Sequence, residues 1–522
     1  VRGTPYVHGD FRGGLNTKAA NYLLEDSQCR DCLNVQSTTT GAIVKRQGVS
    51  QVASQSSVTF KSLHASEATT DGDHFIAATD TGLYKVKAGA VTSISGSWSS
   101  GYWSQVEATA QDGQGPVFMV NGANSPQEWD GTTLGPWTMD SSSTLRAPDS
   151  AVPNGKYLLV HESRVLIAGE DANPSTLFWS EVQVGVGTLP RRWMIENQQL
   201  FDPDDGDEIT GIGRAGSNVL VFKKHKVFVV YDLNTGASRR LTTNIGCVSH
   251  RSIVETPMGT LFLAENGVYI TNGSTVELVS DQITPTITAL SSTNLTVADF
   301  YRNHYYLSSP ADNVILDYDL GLKSWWKHTL ASGAVYDFTS RFNNSTEEFL
   351  CVSGGKVGQL FVPGVYQDFG SSFTWKWSGP WLAPGQAREV YPAVRKRLRA
   401  LRVDGNGTAT LTLSTDFNAA ERSVTPQDAD GNPRASLFGT TSGTTFGPVA
   451  NDGTYFGDYC NGSAPVTVIS PTVFGDVQGP QQARVWGQGV ARSWSVTFKD
   501  SVGSGAAATI QNYTIFTQER NQ

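Results

Sequence analysis

Leu261-Phe262-Leu263-Ala264, then Glu265-Asn266-Gly267, then Val268-Tyr269-Ile270 is the stretch whose reading decides the fold. An apolar run of strand length meets a turn carrying Asn-Gly and continues into a second run with an aromatic residue, the pattern of a β-hairpin. A run of four apolar residues without alternation is that of a strand covered on both faces.

The same unit recurs on either side. Phe75–Ala78 precedes Leu83–Val86, Val117–Val120 precedes Gln127–Gly131, and Val165–Ala168 precedes Leu177–Trp179. Val219–Phe222 precedes Val227–Tyr231, His304–Leu307 precedes Val314–Tyr318, and Phe349–Val352 precedes Gln359–Val362. The marker aromatics Tyr84, Trp129, Trp179, Tyr231, Tyr269, Tyr318 and Phe361 are 38 to 52 residues apart, about 46 on average. Blade repeats of β-propellers have periods of ~40–50 residues, each blade a four-stranded sheet. We therefore expect an all-β chain with a β-propeller of about seven blades over 61–373, each hairpin being the middle pair of its blade. A set of unrelated hairpins in a sandwich is the alternative.

Outside the repeat the texture changes. Residues 1–60 carry few strand signals and a short helical possibility around Asn21–Leu33, and are read as an N-terminal arm or platform segment. From 374 onward, alternating strands such as Ala409–Leu413 and Trp494–Phe498, with Gly/Ser/Asp/Pro-rich loops between about 417 and 480, predict a C-terminal β-sandwich or platform domain.

Composition agrees with this division. The 522 residues include 53 Gly, 22 Pro and only 17% charged residues, which favours short strands and tight turns over charged amphipathic helices. The net charge of −9 gives no basis for wrapping nucleic acid, whose phosphates are paired by Lys and Arg. No apolar run is long enough to span a bilayer, and the first residues lack the apolar stretch of a signal peptide, so a soluble product is expected.

Readable catalytic signatures are missing: no phosphate-binding Gly-Lys-Ser/Thr loop, no His-Glu-x-x-His and no Gly-x-Ser-x-Gly. We expect no enzyme, no catalytic, cofactor-binding or metal-binding residues, and no cofactor. Three clusters were weighed against plainer readings. Cys29-Arg30-Asp31-Cys32 has metal or redox spacing but lacks a second Cys or His pair, so free thiols are expected. The acidic turn Asp202-Pro203-Asp204-Asp205-Gly206-Asp207-Glu208 offers hard oxygen ligands for calcium, against a solvated turn before a strand. Arg395-Lys396-Arg397 with Arg399 and Arg402 is either a solvated strand face or a dock for an acidic partner or DNA.

One set of residues carries a family likeness. Phe11-Arg12-Gly13-Gly14-Leu15-Asn16, Asn34-Val35 and Gly41-Ala42-Ile43-Val44-Lys45-Arg46-Gln47-Gly48 resemble the opening of many phage tail proteins, with Gln47 where a Pro is common. Asp207–Ile212 followed by Val219–Lys223, and the closing Gly487–Trp494, look similar to elements of the same proteins. The match is to the tail-nozzle family of short-tailed phages, also called tail tubular protein B. That resemblance implies a virion location and a homo-oligomeric ring, usually a hexamer, below the portal and adaptor (head-to-tail connector). It also implies contacts to tail fibres or spikes, and a lumen through which genome DNA leaves without specific binding. The alternatives are a distal tail hub or receptor-binding propeller of a long-tailed phage, and a secreted propeller hydrolase or lectin.

Overall fold

The seven predicted hairpins are each the central pair of a four-stranded antiparallel sheet. In the first sheet Ser62–Ser66, His74–Ala78, Leu83–Lys87 and Ala90–Ile94 follow one another in space as in sequence. The next five sheets repeat this order within residues 104–136, 157–200, 209–242, 254–278 and 297–328. This computed structural model describes residues 5–67, 69, 71–109, 113, 115–139, 151–182, 189–343, 346–382, 396–407, 409–415, 422–424, 481–486, 490–491, 493–500, 503 and 505–519.

The seventh sheet departs from the pattern in an informative way. Its first three strands, Asp337–Asn343, Thr346–Ser353 and Lys356–Gln359, are consecutive, but its fourth is Ser50–Ser54 from the front of the chain. The ring is thus latched by strand pairing between distant parts of the sequence. A cluster of Ala53, Phe60, Leu63, Phe75, Ala77, Leu350, Val352 and Val357 then packs the seventh sheet against the first. Comparable clusters join first to second, second to third, third to fourth and fourth to fifth. Onward packing runs through the Tyr305 hydroxyl, which donates to the Ser252 carbonyl at 2.9 Å, and through Tyr301 stacked on Phe349 at 5.0 Å. This is a β-propeller.

Sheets packed on both faces explain why the central strands read as unbroken apolar runs. Val117–Val120 and Phe349–Ser353 are buried at every residue, while fourth strands such as Ala237–Thr242 are largely exposed and polar. Burying a Leu, Ile, Val or Phe side chain contributes ~1.5–3 kcal/mol, so the inter-sheet layers supply the driving force. Each single sheet has too little of its own.

The chain folds as two compact units. One comprises residues 51–315 and 332–360, and the other residues 1–50, 316–331 and 361–522.

In the second unit the chain's beginning is woven into sheets with its end. One sheet is ordered Gln481–Trp486, Lys396–Gly407, Ala508–Glu519, Ile43–Lys45, Val35–Ser37, with Tyr6–His8 also paired to Ala508–Glu519. The other is ordered Asp31–Leu33, Trp375–Ser378, Trp494–Asp500, Thr410–Thr415, Arg422–Val424. Aromatic rings fill the space between them: His8 stacks on Tyr513 at 4.8 Å, Phe11 meets Trp377 edge-on at 4.9 Å, and Phe498 lies 5.9 Å from Tyr513. These are the two facing layers of a β-sandwich.

Two local expectations are corrected. Residues 21–33 form turns followed by the strands Gln28–Cys29 and Asp31–Leu33, with no helix, because sheet pairing to Trp375–Ser378 captures the segment. The second strand of the seventh hairpin is Lys356–Gln359, three residues earlier than the aromatic marker suggested. Phe361 takes a left-handed φ of 55° and turns the chain away.

Candidate functional site: the axial cavity

The first strand of each sheet is its innermost. From the second sheet round to the seventh and on to the first, these strands lie side by side in turn around the propeller axis, and side chains bridge them. The Leu63 amide donates to Asp337 Oδ2 at 2.7 Å, the Leu158 amide to Ser104 Oγ at 2.9 Å, and Ser62 Oγ to the Gly101 carbonyl at 2.9 Å. They enclose a cavity of about 630 Å³, within the ~300–1,000 Å³ range of small-molecule sites.

The polar wall centres on Arg251, which immediately precedes the fifth sheet. Its Nη2 donates to the Lys61 and Tyr336 carbonyls at 3.1 and 2.7 Å and pairs with Asp337 Oδ1 at 2.8 Å, while its guanidinium lies 5.2 Å from the Tyr102 ring. Four contacts from residues at three sheets, the first, second and seventh, fix it in place, so it presents a rigid fork. Burial raises the Asp337 carboxyl, with Arg251 pulling the other way. Across the cavity Arg214 pairs with Glu255 at 3.0 Å and Lys156 with Asp171 at 2.6 Å.

Two histidines complete the wall. The His250 ring lies 4.7 Å from Tyr157, and its Nδ1 accepts from the Ile212 amide at 3.4 Å. Burial depresses both His64 and His250 to about 4, so both rings are neutral at pH 7 and titrate well below it. Asp299, on the first strand of the sixth sheet beside Ala298, is pushed up to about 7, mainly by burial, with Asp337 and Glu347 adding to the shift.

None of these residues belongs to a sequence motif. They come in ones and twos from separate sheets, and the local sequence carries no signature of them. The available signal is positional: each wall residue falls in the segment leading into a hairpin's first central strand.

The clusters singled out from sequence are placed elsewhere. In the acidic turn the cations are the protein's own: Lys223 Nζ lies 2.8 Å from Asp205, Lys226 Nζ 2.7 Å from Asp205 and 3.1 Å from Asp202, and Arg240 3.1 Å from Asp202. Burial alone would raise Asp205, but Lys223 and Lys226 outweigh it and hold the carboxyl well below its ordinary value. Cys29, Cys32, Cys247 and Cys351 are buried thiols outside any disulfide, and burial raises the Cys29 thiol. Among the described residues no group of three His, Cys, Asp or Glu side chains is placed to hold a metal ion, and no helix is long and apolar enough to cross a membrane. Of the basic run, Arg402 is half-buried and bonds Asp404 at 3.2 Å, while Arg395 lies outside the described residues, as do Cys460 and most of the 417–480 loops.

The residues of the phage-tail likeness sit in the framework of the two-sheet unit. Phe11, Leu15, Asn34, Val35, Ile43, Arg46 and Trp494 are all at most 1% exposed. Gly14 adopts φ of 65° where a side chain would strike the Trp325 backbone.

No protein-family model and no curated protein matches the chain. Solved structures that resemble it include the structure of U3-55K (10% identity, 60% of this chain and 98% of that one, TM-score 0.39). The RRP9 WD40 repeats are similar at 10% identity, 61% and 99% coverage and a TM-score of 0.39. The extracellular domain of the hybrid two-component system BT4673 from B. thetaiotaomicron matches at 9% identity, 75% and 57% coverage and a TM-score of 0.41.

Proposed function

We propose that this chain is a structural, non-catalytic subunit of a bacteriophage tail, of the nozzle kind. About six copies form a ring below the adaptor, through which genome DNA passes into the host; tail fibres or spikes dock on the same assembly.

The observation that carries this reading is the position of the likeness residues. Phe11, Asn34, Arg46 and Gly48 are the pins of a unit built jointly from the two ends of the chain. A buried framework of this kind suits a protein whose work is assembly, since it holds interface loops in register across many subunits. The overall charge of −9 supports the same reading, because a lumen without excess cations lets the DNA backbone slide. The three cations of the axial cavity are each paired with a carboxylate and its two histidines are neutral at pH 7, so none of them is an activated nucleophile to build a reaction on.

Gold-labelled antibody against the chain is expected to mark virion tails below the neck, and particles lacking the chain to fail in DNA delivery. Labelling confined to the host envelope would overturn the proposal. A tip-only label with trimeric symmetry would favour the distal-hub alternative.

A further inference from the structure

We propose that the axial cavity of the propeller is a binding site for an organic monocation, an alkylammonium or guanidinium group held at its mouth by the Glu208 carboxylate beside the Tyr157 ring. The inference does not depend on the nozzle reading.

The mouth follows from the way the chain enters the sheets. Tyr102, Lys156, Glu208, Arg251 and Asn294 stand one to three residues ahead of the first strands of the second to sixth sheets, which begin at Ser104, Tyr157, Ile209, Val254 and Val297. All five line the cavity, so they gather round one end of it. Glu208 is exposed there, and its carboxylate forms no hydrogen bond or ion pair with any described residue. Its charge is felt at the wall: burial chiefly, and then Glu208, raise the Tyr157 hydroxyl. Asp80, a second exposed carboxylate without such a partner, adds to the rise that burial imposes on Tyr102 at the same mouth.

Charge balance then selects the ligand class. The lining carries three cations, Lys156, Arg214 and Arg251, and each already has a carboxylate within 3.0 Å, on Asp171, Glu255 and Asp337 respectively. His64 and His250 are neutral at pH 7 and cancel no negative charge. Glu208 is the carboxylate left over, and walls of low dielectric focus its field into the recess. A ligand N–H beside a positive charge meets it as a charge-assisted hydrogen bond, while the half-buried Tyr157 ring next to it offers an apolar face that also attracts a cation. An anion would have to displace one of the three paired carboxylates and would meet Glu208 besides. A metal ion would lack a ligand cluster among the described residues. The cavity, about 630 Å³, has room for a whole alkyl amine or arginine side chain, so a free amine and a basic side chain of another protein present the same chemistry to it.

The test is a titration of the full chain, followed by saturation-transfer NMR, with butylammonium, methylguanidinium, butanol and acetate, and with a tripeptide blocked at both ends that carries one lysine. Glu208→Gln keeps the size of the side chain and removes its charge. Glu162→Gln, at an exposed hairpin tip outside the cavity lining, controls for the overall charge of the chain. Both cations are expected to bind, and butanol and acetate not to. Glu208→Gln is expected to raise the Kd about tenfold or more, Glu162→Gln to leave it unchanged, and both variants to unfold at the wild-type temperature. Tighter binding of the tripeptide than of butylammonium supports the site as one for a protein side chain, and the reverse order supports it as one for a free amine. Absence of binding by both cations, equal binding of butanol, affinity undiminished in Glu208→Gln, or equal weakening in the two variants would overturn the proposal.

Discussion

Arg46 and Asp368, 322 residues apart in sequence, form a two-pronged ion pair with Nη1–Oδ1 and Nη2–Oδ2 distances of 2.9 and 2.6 Å. Both side chains are buried, at 1% and 0% exposure. The rest of the guanidinium is also satisfied: Nε donates to Asn34 Oδ1 at 2.9 Å, Nη2 to the Thr329 carbonyl at 2.7 Å, and Phe373 lies 3.8 Å beneath its plane. Asp368 Oδ2 in turn accepts the Ala331 amide at 3.0 Å. One pair therefore ties residues 34, 46, 329–331, 368 and 373 of the same unit.

Breaking such a pair from one side strands a buried charge. Arg46→Met is expected to cost about 3–5 kcal/mol, read as a lower urea midpoint for the transition that the two-sheet unit reports. The double variant Arg46→Met/Asp368→Leu, which removes both charges, is expected to regain most of that loss. A loss below 1 kcal/mol on Arg46→Met would contradict the pinning role.

Gly48, two residues on, is required for a different reason. Its amide donates to the Val365 carbonyl at 2.6 Å, and a Cβ placed on it would collide with the Gln367 carbonyl. Gly48→Ala is predicted to destabilise the same unit by about 1–3 kcal/mol, the usual cost of overpacking. Differential scanning calorimetry compared with Gly364→Ala, where the added carbon meets nothing but φ is 77°, separates collision from backbone strain.

The propeller carries a pH-dependent cost. Asp299, pushed up to about 7 from an ordinary 3.8, holds its proton in the folded state longer than in the unfolded chain. Its contribution is therefore fully present below pH 4 and is lost as pH rises through 7. Asp299→Asn is neutral at every pH and escapes that loss. It is predicted to match wild type near pH 4 and to exceed it by about 2–4 kcal/mol at pH 8, in chemical denaturation at the two pH values. His64 and His250, held near 4, act in the opposite sense: they favour folding above their ordinary value and lose that contribution as pH falls from 6.5 toward 4.

Lys223 is buried at 0% exposure beneath the acidic turn, bonded to Asp205 Oδ1, the Asp202 carbonyl at 2.9 Å and Ser175 Oγ at 3.2 Å. Lys223→Met is predicted to cost about 3 kcal/mol or more, because Asp205 keeps its charge and loses its deepest partner. With lysine and arginine already on these carboxylates, added calcium is expected to leave the wild-type melting temperature unchanged. A calcium-dependent rise of several degrees would show that the turn takes the ion.

How far the sequence could be read follows from these particulars. The central hairpins were legible because a strand covered on both faces must be apolar throughout, as Leu261–Ala264 is. Their flanking strands were not: Val276–Leu278 and Ala237–Thr242 are short and exposed, with no pattern to distinguish them from loops. The latch by Ser50–Ser54 escaped because its pairing partner lies some three hundred residues away. Asn21–Leu33 carries a short helical possibility in sequence, yet Tyr22 and Leu23 are exposed at 51% and 54%, and sheet pairing of Asp31–Leu33 wins. The cavity wall was invisible for a related reason. His64, Gln105, Tyr157, Arg251 and Asp337 share a site only after the ring has closed, and no spacing in sequence encodes that neighbourhood.

The proposal that the chain is a ring-forming tail subunit is tested most directly by the native mass of the purified protein, followed by negative-stain class averages with and without adaptor rings from virions. Sixfold rings with a channel wide enough for duplex DNA, stacking on the adaptor, are the predicted result. A stable monomer indifferent to the adaptor would contradict the account.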